Sequence, residues 1–361
     1  MLTRHLSILV VLLAFLGCSS KPAAKSVPQE KPKDPLVTLD GNVALAFSPD
    51  GKWIALGAEL IDTSTWKIAA MLDKRISDAN PKSKNHWGYT SAAFSPDSTK
   101  LAIGDQDGSL RVLEVPSMEM KFEILAHGAR LTGIGFANDN ETLATTSVDD
   151  YIRMWNIRTG KEINRDAGQD AANKGKSIAD FVGAVDVFAL SPNREMFAAA
   201  DTMNRIVVCS MRDGSILHDF KGPGSDKVEM DSLAFTPDSS KLLIGVTPKL
   251  YVYTIQGQPT GVVIETTADS PLLVKPVNDQ GLVAMSYNLS GTKNPVVELF
   301  DVAQSKSLGA FHPHTLSGNY WGTSGDGKFI ATTGRGGPTA IWSVEEVTKD
   351  LKPMKTSTAT K

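Results

Sequence analysis

Residues 136–150 read FANDNETLATTSVDD, and the same phrase returns along the chain with its chemistry kept. It is FSPDGKWIALGAE at 47–59, FSPDSTKLAIGDQDG at 94–108, LSPNREMFAAADTMN at 190–204 and FTPDSSKLLIGVTPK at 235–249. Two weaker copies are VNDQGLVAMSYN at 277–288 and TSGDGKFIATTGRGG at 323–337. Marked at the residue that opens the turn, the copies fall at 48, 95, 137, 191, 236, 277 and 324, so the period is 41 to 54 residues. A tandem period near 40–50 residues is that of one four-stranded supersecondary unit that can hide its apolar faces only against its neighbours.

Each copy has one internal logic. An apolar strand ends near a Phe or Leu. A turn follows, built on Pro, Asn, Asp or Gly, which supply a fixed φ, side-chain turn bonds or a positive φ. A second apolar strand and then a third come next. The third reads SLRVLEV at 109–115, YIRMWNI at 151–157, RIVVCSM at 205–211, KLYVYTI at 249–255, VVELFDV at 296–302 and TAIWSV at 339–344. Their alternation marks strands with one face toward each neighbouring unit. A more polar fourth strand precedes the next copy, as in GKEINR at 160–165.

The third copy, His127 to Asn156, resembles a WD40 repeat, and the weaker copies extend the likeness over residues 36–348. The resemblance implies an all-β fold: a seven-bladed β-propeller of four-stranded antiparallel blades. It also implies a polar set that ties a blade together, here His127, Ser147 or Thr145, Asp149 and Trp155. A buried imidazole needs its N–H paired, and a turn Asp is the obvious acceptor. Copy two keeps His86 and Asp107 but has Leu113 at the Trp position, and copy seven keeps Trp342 but has Gly336 near the Asp position. A ring must hide its last edge. Residues 36–39, LVTL, precede the first copy with no unit of their own, so this N-terminal strand is expected to close the last blade.

Ahead of the repeats the chain opens MLTRH and runs LSILVVLLAFLGCSS. A basic start and a short apolar core read as a signal peptide over 1–17 rather than a spanning helix. The end, AFLGCSS, resembles a bacterial lipoprotein signal, which implies lipidation of Cys18. Residues 19–35, SSKPAAKSVPQEKPKDP, cannot form a core and read as a tether, so 18–35 is the lipidated Cys with its linker. Residues 349–361 read as a flexible tail.

The chain has 37 Lys+Arg, 40 Asp+Glu and a net charge of -3, which does not advertise a nucleic-acid surface. Its two cysteines, Cys18 and Cys209, make no disulfide framework, and Cys209 in RIVVCSM reads as a buried free thiol. His312 and His314 form HPH, read as a turn or blade-closing element rather than a metal site. GDQDG at 104–108 and SGDG at 324–327 lack calcium-loop ligand spacing and read as turns. GRGG at 334–337 lacks the Lys and helix of a phosphate loop, and no Gly-x-Ser-x-Gly elbow occurs. No catalytic residue, metal or cofactor is expected.

The expected function is therefore a lipid-anchored, non-enzymatic scaffold that binds protein in a bacterial envelope, exposed to periplasm or outside. Its partners would be the membrane, through Cys18, and an envelope protein, through two enlarged loops. These are DAGQDAANKGKSIADFVGA at 166–184 and NLSGTKNP at 288–295. The alternatives are a TolB-like envelope component, since those repeats also use an SPDG turn, and a propeller hydrolase or oxidoreductase with a catalytic centre in the central channel.

Overall fold

A computed structural model describes residues 34–40, 45–72, 88–163, 184–224, 230–266, 268, 272–278, 281–288, 295–313, 320–333, 338–349, 351 and 357–360. The chain divides into two units, Met1–Lys31 and Pro32–Lys361. The first unit, with the expected signal, Cys18 and most of the tether, lies outside the described residues.

In the second unit β1 (Val37–Leu39) precedes seven sets of strands. Blade one is β2 (Leu45–Phe47), β3 (Trp53–Leu56), β4 (Glu59–Asp62) and β5 (Lys67–Met71). Blade two is β6 (Tyr89–Phe94), β7 (Lys100–Asp105), β8 (Ser109–Glu114) and β9 (Met120–Leu125). Blade three is β10 (Leu131–Phe136), β11 (Thr142–Ser147), β12 (Ile152–Asn156) and β13 (Lys161–Glu162). Blade four is β14 (Val185–Leu190), β15 (Met196–Asp201), β16 (Arg205–Ser210) and β17 (Ile216–Lys221). Blade five is β18 (Ser232–Phe235), β19 (Lys241–Val246), β20 (Lys249–Thr254) and β21 (Pro259–Glu265). Blade six is β22 (Leu273–Pro276), β23 (Leu282–Asn288), β24 (Pro295–Asp301) and β25 (Lys306–Phe311). Blade seven has β26 (Tyr320–Thr323), β27 (Phe329–Thr333) and β28 (Thr339–Ser343).

The fold is a seven-bladed β-propeller of antiparallel sheets. β1 pairs with β28, Val37 opposite Ile341 and Leu39 opposite Thr339, and so supplies the outer strand of blade seven. The N-terminal strand thus closes the ring. After β28 the chain turns into α1 (Val344–Lys349), whose Val344 and Val347 are buried against blades six and seven. Ser357–Thr360, in the stretch expected to be a loose tail, forms β29 and pairs with β21 as a fifth strand of blade five. The fourth strand of blade three is shorter than its sequence suggests, because β13 spans only Lys161–Glu162.

The recurring phrase is explained by its turn. Ser48 Oγ donates to Asp50 at 2.7 Å and accepts from the N–H of Trp53 at 2.9 Å. Ser95, Ser191, Thr236 and Ser324 make the same pair of hydrogen bonds, each donating to the acid or amide two residues on and accepting from the backbone N–H five residues on. The fourth turn residue takes a positive φ: Gly51 72°, Ser98 61°, Asn140 59°, Arg194 54°, Ser239 59° and Gly327 70°. That residue also links blades. The Asp50 N–H donates to Ser98 Oγ, Asp97 N–H to Asn140 Oδ1, and Asn193 N–H to Ser239 Oγ.

The buried apolar residues form seven clusters, one for each seam between neighbouring blades. Leu39 of β1 joins Ile54, Leu56 and Ile61 of blade one and Ala331 and Ile341 of blade seven, so the closing strand also seals the last seam. This distribution follows from the sequence pattern. A strand whose two faces are both apolar needs a neighbour on each side, and a ring supplies two to every blade.

Candidate functional site

Two connections bracket the polar set of blade three: residues 126–130 lead into β10, and residues 148–151 join β11 to β12. Trp155 donates its indole N–H to Thr145 Oγ1 at 3.0 Å. Thr145 lies 2.8 Å from His127 Nε2. His127 Nδ1 lies 2.9 Å from one Asp149 oxygen and 3.1 Å from the other. The consistent proton arrangement puts the hydrogen on Nδ1, donating to the carboxylate, while Nε2 accepts from the threonine hydroxyl. Asp149 also accepts the N–H groups of Gly128 and Tyr151.

Of the residues picked from sequence, the structure brings His127, Asp149 and Trp155 together through Thr145. Ser147 stands aside. Its hydroxyl donates to the Ala129 carbonyl and accepts the Asp149 N–H, so it closes the β11–β12 turn. The same position in blades two and four is Asp105 and Asp201, each accepting two turn amides. Asp105 also takes the guanidinium of buried Arg111 at 3.0 Å, and Arg111 reaches Glu123 on its other side at 2.8 Å. Leu113 is buried at the Trp position. Trp342 donates to Thr332 in blade seven as Trp155 does to Thr145. His86 and Gly336 lie outside the described residues.

Burial pushes the His127 imidazole below its ordinary range, and this outweighs the opposing pull of Asp149. For Asp149, burial alone would raise the carboxyl. The Gly128 amide and His127 more than offset it and hold it below the usual carboxylate range. The pair is therefore a neutral imidazole on an ionised carboxylate, a fixed strut rather than a proton-transfer couple.

That strut orients a surface. At the same end of the blades stand four exposed large apolar side chains from four consecutive blades. Met71 ends β5 opposite Glu59, and Leu125 ends β9 opposite Ser109. Tyr151 and Met203 sit on the turns before β12 and β16. The Arg153 guanidinium lies 5.2 Å from the Tyr151 ring centroid, and Arg153 is itself tied to the Ala126 carbonyl. Arg130 and Asp186 face each other at 3.9 Å across blades three and four on this end. Sequence reading missed these residues. The available signal was a large apolar residue beside a turn, where the other copies carry polar ones or glycine.

The two loops expected to bind, 166–184 and 288–295, fall almost wholly outside the described residues, as does His314. His312 donates from Nδ1 to the Pro295 carbonyl at 3.3 Å. Cys209 is fully buried at the Trp position of blade four, and burial pushes its thiol up. Among the described residues no group of three or more His, Cys, Asp or Glu could hold a metal, and no helix is long and apolar enough to cross a membrane.

Residues 82–113 and 119–156 match the family described as WD domain, G-beta repeat. Apoptotic protease-activating factor 1 of Mus musculus is 29% identical over 87 residues, covering 24% of this chain and 7% of that protein. SEC12-like protein 1 of Arabidopsis thaliana is 38% identical over 68 residues, 19% of this chain and 17% of that one. The 66 kDa stress protein of Physarum polycephalum is 26% identical over 157 residues, 38% of this chain and 26% of that one. The chain thus spans about a quarter or less of each relative. All three are eukaryotic proteins. This overturns the expectation of a lipid-anchored scaffold in a bacterial envelope, and with it the TolB-like alternative. The chain has a WD40-type seven-bladed β-propeller fold, with its most family-like repeats in blades two and three.

Proposed function

We propose that the chain is a non-catalytic scaffold that binds protein through the turn-bearing end of blades one to four. The observation that carries this is the arc of Met71, Leu125, Tyr151 and Met203. These are four of the seven large apolar side chains left exposed among the described residues, and they come from successive blades at one end. Aromatic residues and Met are enriched at protein interfaces, and a rigid anchor costs less entropy on binding than a mobile one. Tyr151 has such rigidity, held under Arg153 on a turn fixed by Asp149.

The test is site-specific photo-crosslinking in cells, with the probe at Tyr151 or Met203 and, for comparison, at Leu217, which is exposed on the outer strand of blade four. Discrete protein adducts are expected from the first two positions and lost when Leu125→Asp is added. Equal adducts from all three positions, or none from Tyr151 and Met203, would remove this face as the contact surface.

A further inference from the structure

Blade five differs from the other blades at its rim. Among the described residues it is the one sheet with five strands, because β29 pairs antiparallel with β21. Val262 stands opposite Thr360, Val263 opposite Ala359, Ile264 opposite Thr358 and Glu265 opposite Ser357. The sequence of β21 explains why this rim is covered. With seven residues it is the longest of the outer strands, and Val262, Val263 and Ile264 follow one another, all β-branched and uncharged. Such an edge is a template for another strand. The other rims are blunted. β9 carries Lys121 and Glu123, β17 carries Asp219, β25 has Gly309, and β5 has Ala69 and Ala70. β13 and β1 are only two and three residues long.

The ladder sets which bonds hold β29. The Thr266 N–H donates to the Pro248 carbonyl at 3.0 Å, in step with the pairing of β20 and β21. By alternation the Ile264 N–H also points inward, and those of Val263 and Glu265 point outward to β29. Val263 and Ala359 are therefore a hydrogen-bonded pair. β29 reads Ser-Thr-Ala-Thr, with no charged and no large apolar residue, so its attachment rests on the ladder. Its approach is short. Leu351 packs on the cluster between blades six and seven, while Ser357 lies on blade five, one blade further round. Six residue steps join them, at most about 20 Å of chain.

We propose that the outer edge of blade five is a self-association surface, and that two copies of this chain exchange β29 across it. The register within one chain already shows that this strand fits this edge, so a second copy's strand makes the same bonds there. Reciprocal exchange covers both edges and keeps the number of ladder bonds per chain, and each copy gives what it takes. A short connection with little slack favours such exchange, because the strand reaches a neighbour's edge without crossing its own blade six. The surface lies on the rim of blade five, apart from the arc on blades one to four.

The test uses two full-length chains, one with Val262→Cys and one with Thr360→Cys, positions that stand opposite each other in the ladder. They are mixed at high concentration in mild urea, returned to buffer and oxidised. Peptide mapping should find a disulfide joining position 262 of one chain to position 360 of the other. A chain carrying both substitutions, oxidised at high dilution, should join within itself and so confirm the register. By size exclusion with light scattering, the wild-type chain should form a two-chain species that grows with concentration. Deleting residues 357–361, or Ala359→Pro, should abolish it. Ring closure rests on β1, so both variants are expected to fold. A wild-type chain that stays single at every concentration, or a two-chain species that survives the deletion, would overturn the exchange. So would a 262–360 bond formed only within one chain, or a Val262→Cys chain that in a cell lysate couples to an unrelated protein in place of the Thr360→Cys chain.

Discussion

His127 Nε2 and Thr145 Oγ1 meet at 2.8 Å, and through that contact one threonine hydroxyl joins the imidazole to the indole of Trp155. The hydroxyl sits where the loop entering blade three meets its second and third strands. Losing it leaves two buried ring nitrogens without their partner.

Thr145→Val keeps the shape and removes only that hydroxyl. The expected loss is about 1–3 kcal/mol, the cost of leaving buried polar groups unpaired. The Ser147 hydroxyl is buried, but its partners Ala129 and Asp149 are half-exposed, so Ser147→Ala is expected to cost about 0.5–1.5 kcal/mol. Urea melts of the two variants give the comparison. Equal losses, or a larger one at Ser147, would remove Thr145 from the centre of the network.

Acid should weaken this blade. His127 is held below its ordinary range, near 6.5, so at mildly acid pH the unfolded chain takes up a proton that the folded chain refuses. Its contribution to stability is complete above that ordinary value and is lost as pH falls toward the depressed one. Asp149, also depressed, acts in the same direction at lower pH: its contribution is lost as pH falls through its folded value. Urea midpoints of the wild-type chain should therefore drop between pH 7.5 and pH 5, and drop less in His127→Gln. A midpoint that rises on acidification would mean an imidazolium paired with Asp149.

Cys209 offers a probe of native openings. It is fully buried, and burial raises its thiol, so little thiolate exists at neutral pH. Thiol labelling of Cys209 should be slow in the folded chain and fast in urea, and its native rate should climb with sub-denaturing urea. Rapid labelling without denaturant would show that the seam between blades three and four opens far more often than its packing implies.

Much of this architecture is legible in the sequence because the fold repeats one local solution. Five of the turns use a hydroxyl, an acid or amide two residues on, and a residue that tolerates positive φ, so Ser48, Ser95, Ser191, Thr236 and Ser324 stand out along the chain. The closing strand is legible as a remainder, since residues 36–39 have no blade of their own. The choice between Thr145 and Ser147 is not. Two residues apart on a strand, they share a face, and only the turn that Ser147 caps tells them apart. Asp105 and Asp107 pose the same problem in blade two, where Asp105 holds Arg111.

The ring depends on a three-residue strand, and this gives the sharpest mechanical prediction. β1 contributes Leu39 to the seam between blades seven and one, where it is buried with Ile54, Leu56, Ile61, Ala331 and Ile341. Leu36 lies just before the strand, donates its N–H to the Ile341 carbonyl at 2.8 Å, and has an exposed side chain. Leu39→Ala should cost about 2–5 kcal/mol, as other large-to-small changes at packed sites do. Leu36→Ala keeps the backbone bond and should stay within about 0.5 kcal/mol. The two variants differ in what they do to closure, so the protease pattern should differ as well. Opening the last blade frees β1 first, and limited proteolysis of Leu39→Ala should cut near residues 40–44 before any cut within blades two to four. Should Leu39→Ala melt like Leu36→Ala, with cuts spread evenly over the blades, β1 would be an ornament on a ring already closed by other contacts.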